Sequence, residues 1–220
     1  MIPIRDSLLF HGPAPATKII IVLCGLAFYL QISWGFEETI AQFGFIPATF
    51  FLDPLGQGYR LLSSMFVHGS LGHLIGNVWF LWVFGPGLEG RLGSWRYLGL
   101  YLLSGVVAAL TQALFTPDPS LPMVGASGAI SGVTGGYLIL FPGALVLTWM
   151  FPFFWLWLPA TLYLGYWATI QLINALLGLP GVAWWAHLGG FVAGMVLARW
   201  FRPKRSYQAV PYWEHWYYFR

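Results

Sequence analysis

Six apolar runs, each bounded by glycine, proline or charge, leave this chain few ways to fold. They cover approximately residues 18–36, 71–88, 95–115, 127–142, 158–177 and 183–201. A helix needs roughly 20 apolar residues to cross the hydrocarbon core of a bilayer. Inside lipid a backbone must satisfy its own hydrogen bonds, so such runs are expected to be helices. Only 8% of the residues are charged and 58% are apolar, with a mean hydropathy of +0.70. A water-soluble domain carries about 25% charged residues, so the expected solvent is lipid. The expectation is an all-α polytopic membrane protein, a bundle of six transmembrane helices forming one domain over 1–202. A short basic and aromatic tail follows at 203–220, and no cleavable signal peptide is expected because the first apolar run is long enough to span.

The segment 144–157 is apolar too, but it is short and interrupted by Pro152. Its Trp and Phe content suits headgroup depth, so it reads as an interfacial connection rather than a seventh span. With six spans, both termini lie on one side. If that side is the cytoplasm, all ten lysines and arginines except Arg60 are cytoplasmic. Glu37, Glu38, Asp53 and Asp118 are then external. This is the positive-inside pattern, and the inverted topology reverses it. The basic residues are few and scattered, which argues against nucleic-acid binding. The single cysteine, Cys24, has no partner for an intramolecular disulfide and reads as a packing residue.

That topology gives meaning to a few polar residues. Spans two, four and six all run inward, so their first residues lie toward the external face. His73 and Asn77 begin the second, Ser127 begins the fourth within Gly125-Ala126-Ser127-Gly128, and His187 begins the sixth. All four fall at similar depth, where polar side chains are costly and usually functional. Span four carries Gly128, Gly132 and Gly136 along one stripe, and span six carries Gly190 and Gly194 on nearly the face of His187. Small residues let helix backbones approach closely in lipid, so these faces are suited to dock. Docking would bring the Ser127 hydroxyl to the His187 imidazole, a nucleophile beside the base it needs for acyl transfer. Asn77, His73 and the Ser127 backbone N–H are candidate donors to an oxyanion. No acid is evident to orient His187, so the arrangement reads as a Ser–His dyad without metal or cofactor. His68 and His73 make a poor metal pair at their spacing. Ser131 is a weaker rival nucleophile, Arg60 a loop anchor to carbonyls or lipid headgroups, and Glu89 with Arg91 a cap at the inward end of span two. His11 and His215 receive no role.

At these residues the chain resembles the rhomboid family of intramembrane serine proteases over about residues 59–200. Gly125-Ala126-Ser127-Gly128 is similar to the family's G-x-S-G motif, and Ala186-His187-Leu188-Gly189-Gly190 with Gly194 to its A-H-x-x-G-x-x-x-G motif. His68, His73 and Asn77 follow its H-x4-H-x3-N pattern. The resemblance implies Ser127 as nucleophile and His187 as general base and acid. It implies oxyanion support from His73, Asn77 and backbone N–H groups around Val124 and Ser127, with Gly125, Gly128, Gly190, Gly194 and His68 supporting the site. It also implies a membrane-embedded first loop containing Tyr59-Arg60, where the family commonly has Trp-Arg. Span five, preceded by Trp155 and Trp157, would be the gate through which a single-pass transmembrane substrate enters. Position 131 is serine, where some relatives place an aromatic that stacks on the histidine. The implied setting is a prokaryotic plasma membrane, with the site facing outward and no nucleic-acid partner. Two other readings are a non-catalytic rhomboid-like protein that binds membrane helices, which would be expected to lack the serine or histidine, and a small transporter, for which membrane-embedded acids and an inverted repeat are missing.

Overall fold

The computed structural model describes residues 1–8, 12–150, 152 and 154–202. The expected tail at 203–220 and the two terminal histidines, His11 and His215, lie outside the described residues. In chain order the elements are β1 (Ile2–Asp6), α1 (Pro15–Trp34), α2 (Phe36–Phe43), α3 (Pro47–Leu52), α4 (Pro54–Gln57) and α5 (Arg60–Ser63). There follow α6 (Leu71–Leu92), α7 (Ser94–Phe115), α8 (Ser127–Leu140), β2 (Leu145–Met150), β3 (Phe154–Pro159), α9 (Ala160–Leu176) and α10 (Trp184–Phe201). A helix stands at each of the six apolar runs. Three of them, α1, α6 and α7, are long and apolar enough to cross a membrane.

The expectation of an all-α chain is corrected. Leu145–Met150 and Phe154–Pro159 pair as antiparallel strands, and the N-terminal strand adds to them as a three-stranded sheet in the order β1-β2-β3. Two features, one of the sequence and one of its burial, accord with this. The run is rich in β-branched and aromatic residues, and Val146 and Thr148 alternate inward on β2 while their neighbours are more exposed. Trp149 stacks on Trp155 across the β2–β3 pair at 5.8 Å between centroids, and the Arg5 guanidinium of β1 lies 5.5 Å over the Trp157 ring of β3. Cross-strand aromatic pairs of this kind hold a short sheet together.

The second helix also differs from expectation. It continues through Pro86 to Leu92, which puts Glu89 in its last turn, buried and turned toward another helix. The Glu89 carboxylate accepts from the N–H groups of Ala16 and Thr17 at 2.9 and 2.8 Å, and from the hydroxyls of Thr17 and Ser94 at 2.8 and 2.6 Å. Glu89 thus caps the start of α1, where unpaired N–H groups and the helix dipole both favour an anion. Its role as a cap of its own helix is withdrawn.

At the centre stands α8, the shortest of the major helices at 14 residues, with every residue from Gly128 to Tyr137 buried. Glycine is a poor helix former, costing about 1 kcal/mol relative to alanine, so this sequence is helical here because of what surrounds it. A Cβ at Gly190 would run into the carbonyl oxygen of Gly128, one at Gly194 into that of Gly132, and one at Gly135 into that of Phe191. The α8 and α10 backbones therefore touch directly. Helix α7 closes a third side, with Ala108 and Ser104 against Gly128 and Gly132. At its far end α8 is tied down by Tyr137, whose hydroxyl donates to Asp6 Oδ2 at 2.7 Å. Burial raises the Asp6 carboxyl to about 6.

Candidate active site

The connection from α7 to α8 sets the geometry. Met123 pairs with Phe45 through two backbone hydrogen bonds of 2.8 and 2.9 Å, and Gly125 N–H donates to Ser64 O at 2.9 Å. The segment between α1 and α6 thus clamps the approach to α8. That segment is itself anchored by Arg60, which donates to the carbonyls of Ala41 and Gly44 at 2.7 and 3.0 Å. This is the carbonyl anchorage expected of Arg60. Tyr59, beside it, donates to Gln42 O at 2.9 Å. Gly125 has φ +115, a conformation L side chains rarely adopt, and a Cβ there would lie 2.6 Å from His73 Nε2. Two requirements therefore converge on glycine at this position: the backbone turn and the close approach of an imidazole.

Around this turn the four expected side chains gather. Ser127, the first residue of α8, places Oγ 2.8 Å from His187 Nε2. His73 and Asn77 reach the same place from α6, alongside the Gly125 backbone. Asn77 is 6% exposed, and its Nδ2 has no hydrogen-bond partner. The Gly69 N–H donates to His73 Nδ1 at 3.4 Å, which leaves Nε2 of His73 as the protonated nitrogen. Val124 lies beside them. A cavity of about 1110 Å³ opens onto the group, lined among others by His73, Asn77, Val124, Ser127, Trp167 and His187. A buried amide donor without a partner costs about 1–3 kcal/mol, and one aimed at a cavity next to a hydroxyl–imidazole pair is poised to bind an oxygen.

His68 is wholly buried. Its Nδ1 donates to Phe66 O at 3.1 Å, and its ring meets His73 edge to face with centroids 5.3 Å apart. Burial, with His73 beside it, pushes His68 down to about 4, so it is neutral near pH 7. Gly128, Gly190 and Gly194 lie in the α8–α10 contact already described. The Ser131 hydroxyl donates to Ser127 O at 2.7 Å, so it is occupied by its own helix and turned from the imidazole.

Three glutamines inside apolar helices were missed by sequence reasoning, and each holds part of this site. On α1, Gln31 pairs with the His68 backbone in both directions, at 3.1 and 2.9 Å. On α7, Gln112 Oε1 accepts from Ala186 N–H at 3.1 Å, satisfying a first-turn donor of α10. On α9, Gln171 Oε1 lies 2.7 Å from His187 Nδ1. The signal was available, since an amide within an apolar run is as conspicuous as a histidine there. With serine at 131, the flanks of His187 are taken by Trp167 and Trp184, at 5.9 and 6.2 Å between ring centroids.

The chain is similar in sequence to known proteins. A sequence model of the rhomboid domain matches residues 55–204. The chain is 34% identical over 129 residues to Rhomboid protease GluP of Bacillus subtilis, covering 58% of this chain and 25% of that one. It is 37% identical over 142 residues to RHOMBOID-like protein 4 of Arabidopsis thaliana, covering 64% and 33%. To the mitochondrial Rhomboid protein 1 of Saccharomyces cerevisiae it is 31% identical over 150 residues, covering 66% and 42%. The match thus spans between a quarter and under half the length of these relatives.

Proposed function

The chain belongs to the rhomboid family of integral membrane proteins, and from that premise we propose that it is an intramembrane serine endopeptidase. The observation that carries this reading is the 2.8 Å contact between Ser127 Oγ and His187 Nε2, set beside the unpaired Asn77 amide. A non-catalytic relative has no need to keep both reacting groups bonded at the edge of a cavity.

In this reading Ser127 Oγ attacks the scissile carbonyl while its proton passes to His187 Nε2. The carbonyl oxygen, now an anion, takes hydrogen bonds from Asn77 Nδ2, His73 Nε2–H and backbone N–H groups near Val124 and Ser127. Collapse of the tetrahedral intermediate breaks the C–N bond, and His187 returns the proton to the leaving amine. Water then enters through the cavity, gives a proton to His187 and hydrolyses the acyl-serine, restoring the Ser127 hydroxyl. Neither metal nor cofactor takes part.

The same reading places six helices across the membrane, both termini in the cytoplasm and the dyad toward the external face. At 14 residues, α8 rises only about 21 Å, less than a hydrocarbon core of about 30 Å. Its head therefore lies below the outer surface, where a transmembrane substrate segment could be met after partly leaving its helix. The substrates would be single-pass membrane proteins, approaching beside α9.

The test is cleavage of a fluorogenic transmembrane substrate by the purified protein in detergent, beside Ser127→Ala and His187→Ala. Each substitution should remove turnover, and each should remove labelling by a fluorophosphonate, because the pair acts as a unit. Parental cleavage by Ser127→Ala would sink the proposal.

A further inference from the structure

We infer that Gln171 is the positioning residue of the dyad, the third member of a Ser127–His187–Gln171 relay. The inference rests on the proteolytic reading above and adds to it a neutral side chain that orients the base. Gln171 is 6% exposed, and its two amide atoms are engaged in opposite senses. Nε2 donates to Trp167 O, one turn back on α9, at 3.4 Å. That contact fixes which way the amide faces and presents Oε1 to His187 Nδ1 at 2.7 Å. An amide oxygen can only accept, so Nδ1 must carry the proton. His187 Nε2 is then left with its lone pair directed at the Ser127 hydroxyl, 2.8 Å away. The hydrogen bonds run in one direction, from Ser127 through His187 to Gln171 and the α9 backbone.

This is the tautomer a general base needs, since a histidine protonated on Nε2 could not take the serine proton. A carboxylate in this position would both orient the ring and stabilise the imidazolium. Glutamine does the first and offers only its dipole for the second. Inside an apolar helix the neutral amide avoids the cost of burying an unpaired charge. Gln171 also sits on α9 while His187 sits on α10, so the base is aligned only when those two helices are together.

The test uses the full-length protein in detergent with three variants, Gln171→Met, Gln171→Leu and Gln171→Glu. The first two are apolar and lack the side-chain oxygen acceptor, while glutamate restores one. Loss of an orienting partner of histidine should lower kcat about 10–100-fold. KM should stay within about twofold, and fluorophosphonate labelling should slow in parallel. The small probe makes the second readout independent of how a substrate helix enters. Gln171→Glu should recover most of kcat and move the acid limb of its kcat/KM profile to higher pH by about one unit, because an anion beside imidazolium favours the charged form. A mere packing role predicts a lowered Tm in all three variants with no rescue by glutamate and no shift of the pH limb. That outcome, or parental kcat in Gln171→Met, overturns the inference. Ser127→Ala is run alongside. If it is inactive while Gln171→Met is unchanged, only the role of Gln171 falls; if it is active, the proteolytic reading falls as well.

Discussion

The two ends of α8 face opposite demands. At the Tyr137 end the two carboxylates are matched: Glu89 receives four donors, and Asp6 accepts from Tyr137 and from Leu8 N–H. At the Ser127 end, Asn77 Nδ2 is buried with nothing to bond, next to a cavity. Satisfied polar groups in a low-dielectric setting rigidify a fold, and unsatisfied ones weaken it. One end therefore holds the molecule together, and the other keeps donors in readiness. Substitutions at the two ends should separate stability from catalysis.

The largest effect should come from the strut that joins the ends. A Cβ at Gly194 meets the Gly132 carbonyl oxygen, backbone against backbone, where nothing can rotate aside. Gly194→Val should cost more than about 4 kcal/mol, beyond ordinary overpacking. The expected result is no monodisperse protein and no fluorophosphonate labelling. A folded, labelled Gly194→Val would show that the two helices do not need this close approach.

At the Ser127 end, Asn77→Ala should lower kcat by about 10²–10³, or roughly 3–4 kcal/mol of transition-state stabilisation. Its Tm should be equal to or above the parent's, since the lost donor had no partner. A fall in Tm of several degrees with unchanged kcat would make Asn77 a structural residue and erase the contrast between the ends.

Glu89→Gln probes the opposite pole. An amide nitrogen would then face the N–H groups of α1 in place of one carboxylate oxygen. Hydrogen bonds to a charged group are worth about 1.5–3 kcal/mol each, so a loss of about 3 kcal/mol is expected. In a chain of this size that is a fall of about 6–12 °C in Tm, with kcat of the folded protein unchanged. Reduced kcat at parental Tm would mean that the two ends are not separable.

How far the sequence foretold these ends follows the same division. Ser127, His187, His73 and Asn77 were legible because each interrupts an apolar run, and the runs themselves set their depth. Glu89 was legible as a helix-capping acid at the inward end but not as to which helix it caps, because the α1 N-terminus lies more than 70 residues away and only packing brings it near. The sheet was missed for a related reason. β1 has too few residues to announce itself, and its pairing partner β2 comes four apolar runs later in the chain. Gln171 was not legible as a partner of His187, because it lies on another helix and an amide, unlike an acid, carries no charge to mark it.

Asp6 gives the Tyr137 end a pH dependence opposite in sign to the one that the lowered His68 gives the Ser127 end. Its carboxyl is raised from 3.8 to about 6 by burial, so the folded state favours the protonated form. The stabilisation is full below about pH 4 and is lost as pH rises through 6, because over that interval the folded protein holds a proton that the unfolded chain has released. About two pKa units correspond to roughly 2–3 kcal/mol. His68, lowered to about 4, contributes with the opposite sign over the same interval. Asp6→Asn should therefore make the stability of the variant rise more steeply with pH than the parent's between pH 4 and 6.5 in thermal denaturation. A parental slope retained in Asp6→Asn would assign the dependence to another group.

The smallest effect tests whether glycine matters by place rather than by kind. Gly165 is a glycine on α9, yet a Cβ there would meet nothing within 4 Å. Gly165→Ala should therefore stabilise the helix by about 0.5–1 kcal/mol, through propensity and a less flexible unfolded chain. The expected gain is about 2–3 °C in Tm, with fluorophosphonate labelling at the parental rate. Slower labelling at raised Tm would mean that α9 must flex at Gly165 for the site to work. Helix α9 would then belong with the Ser127 end, held loosely because catalysis needs it so.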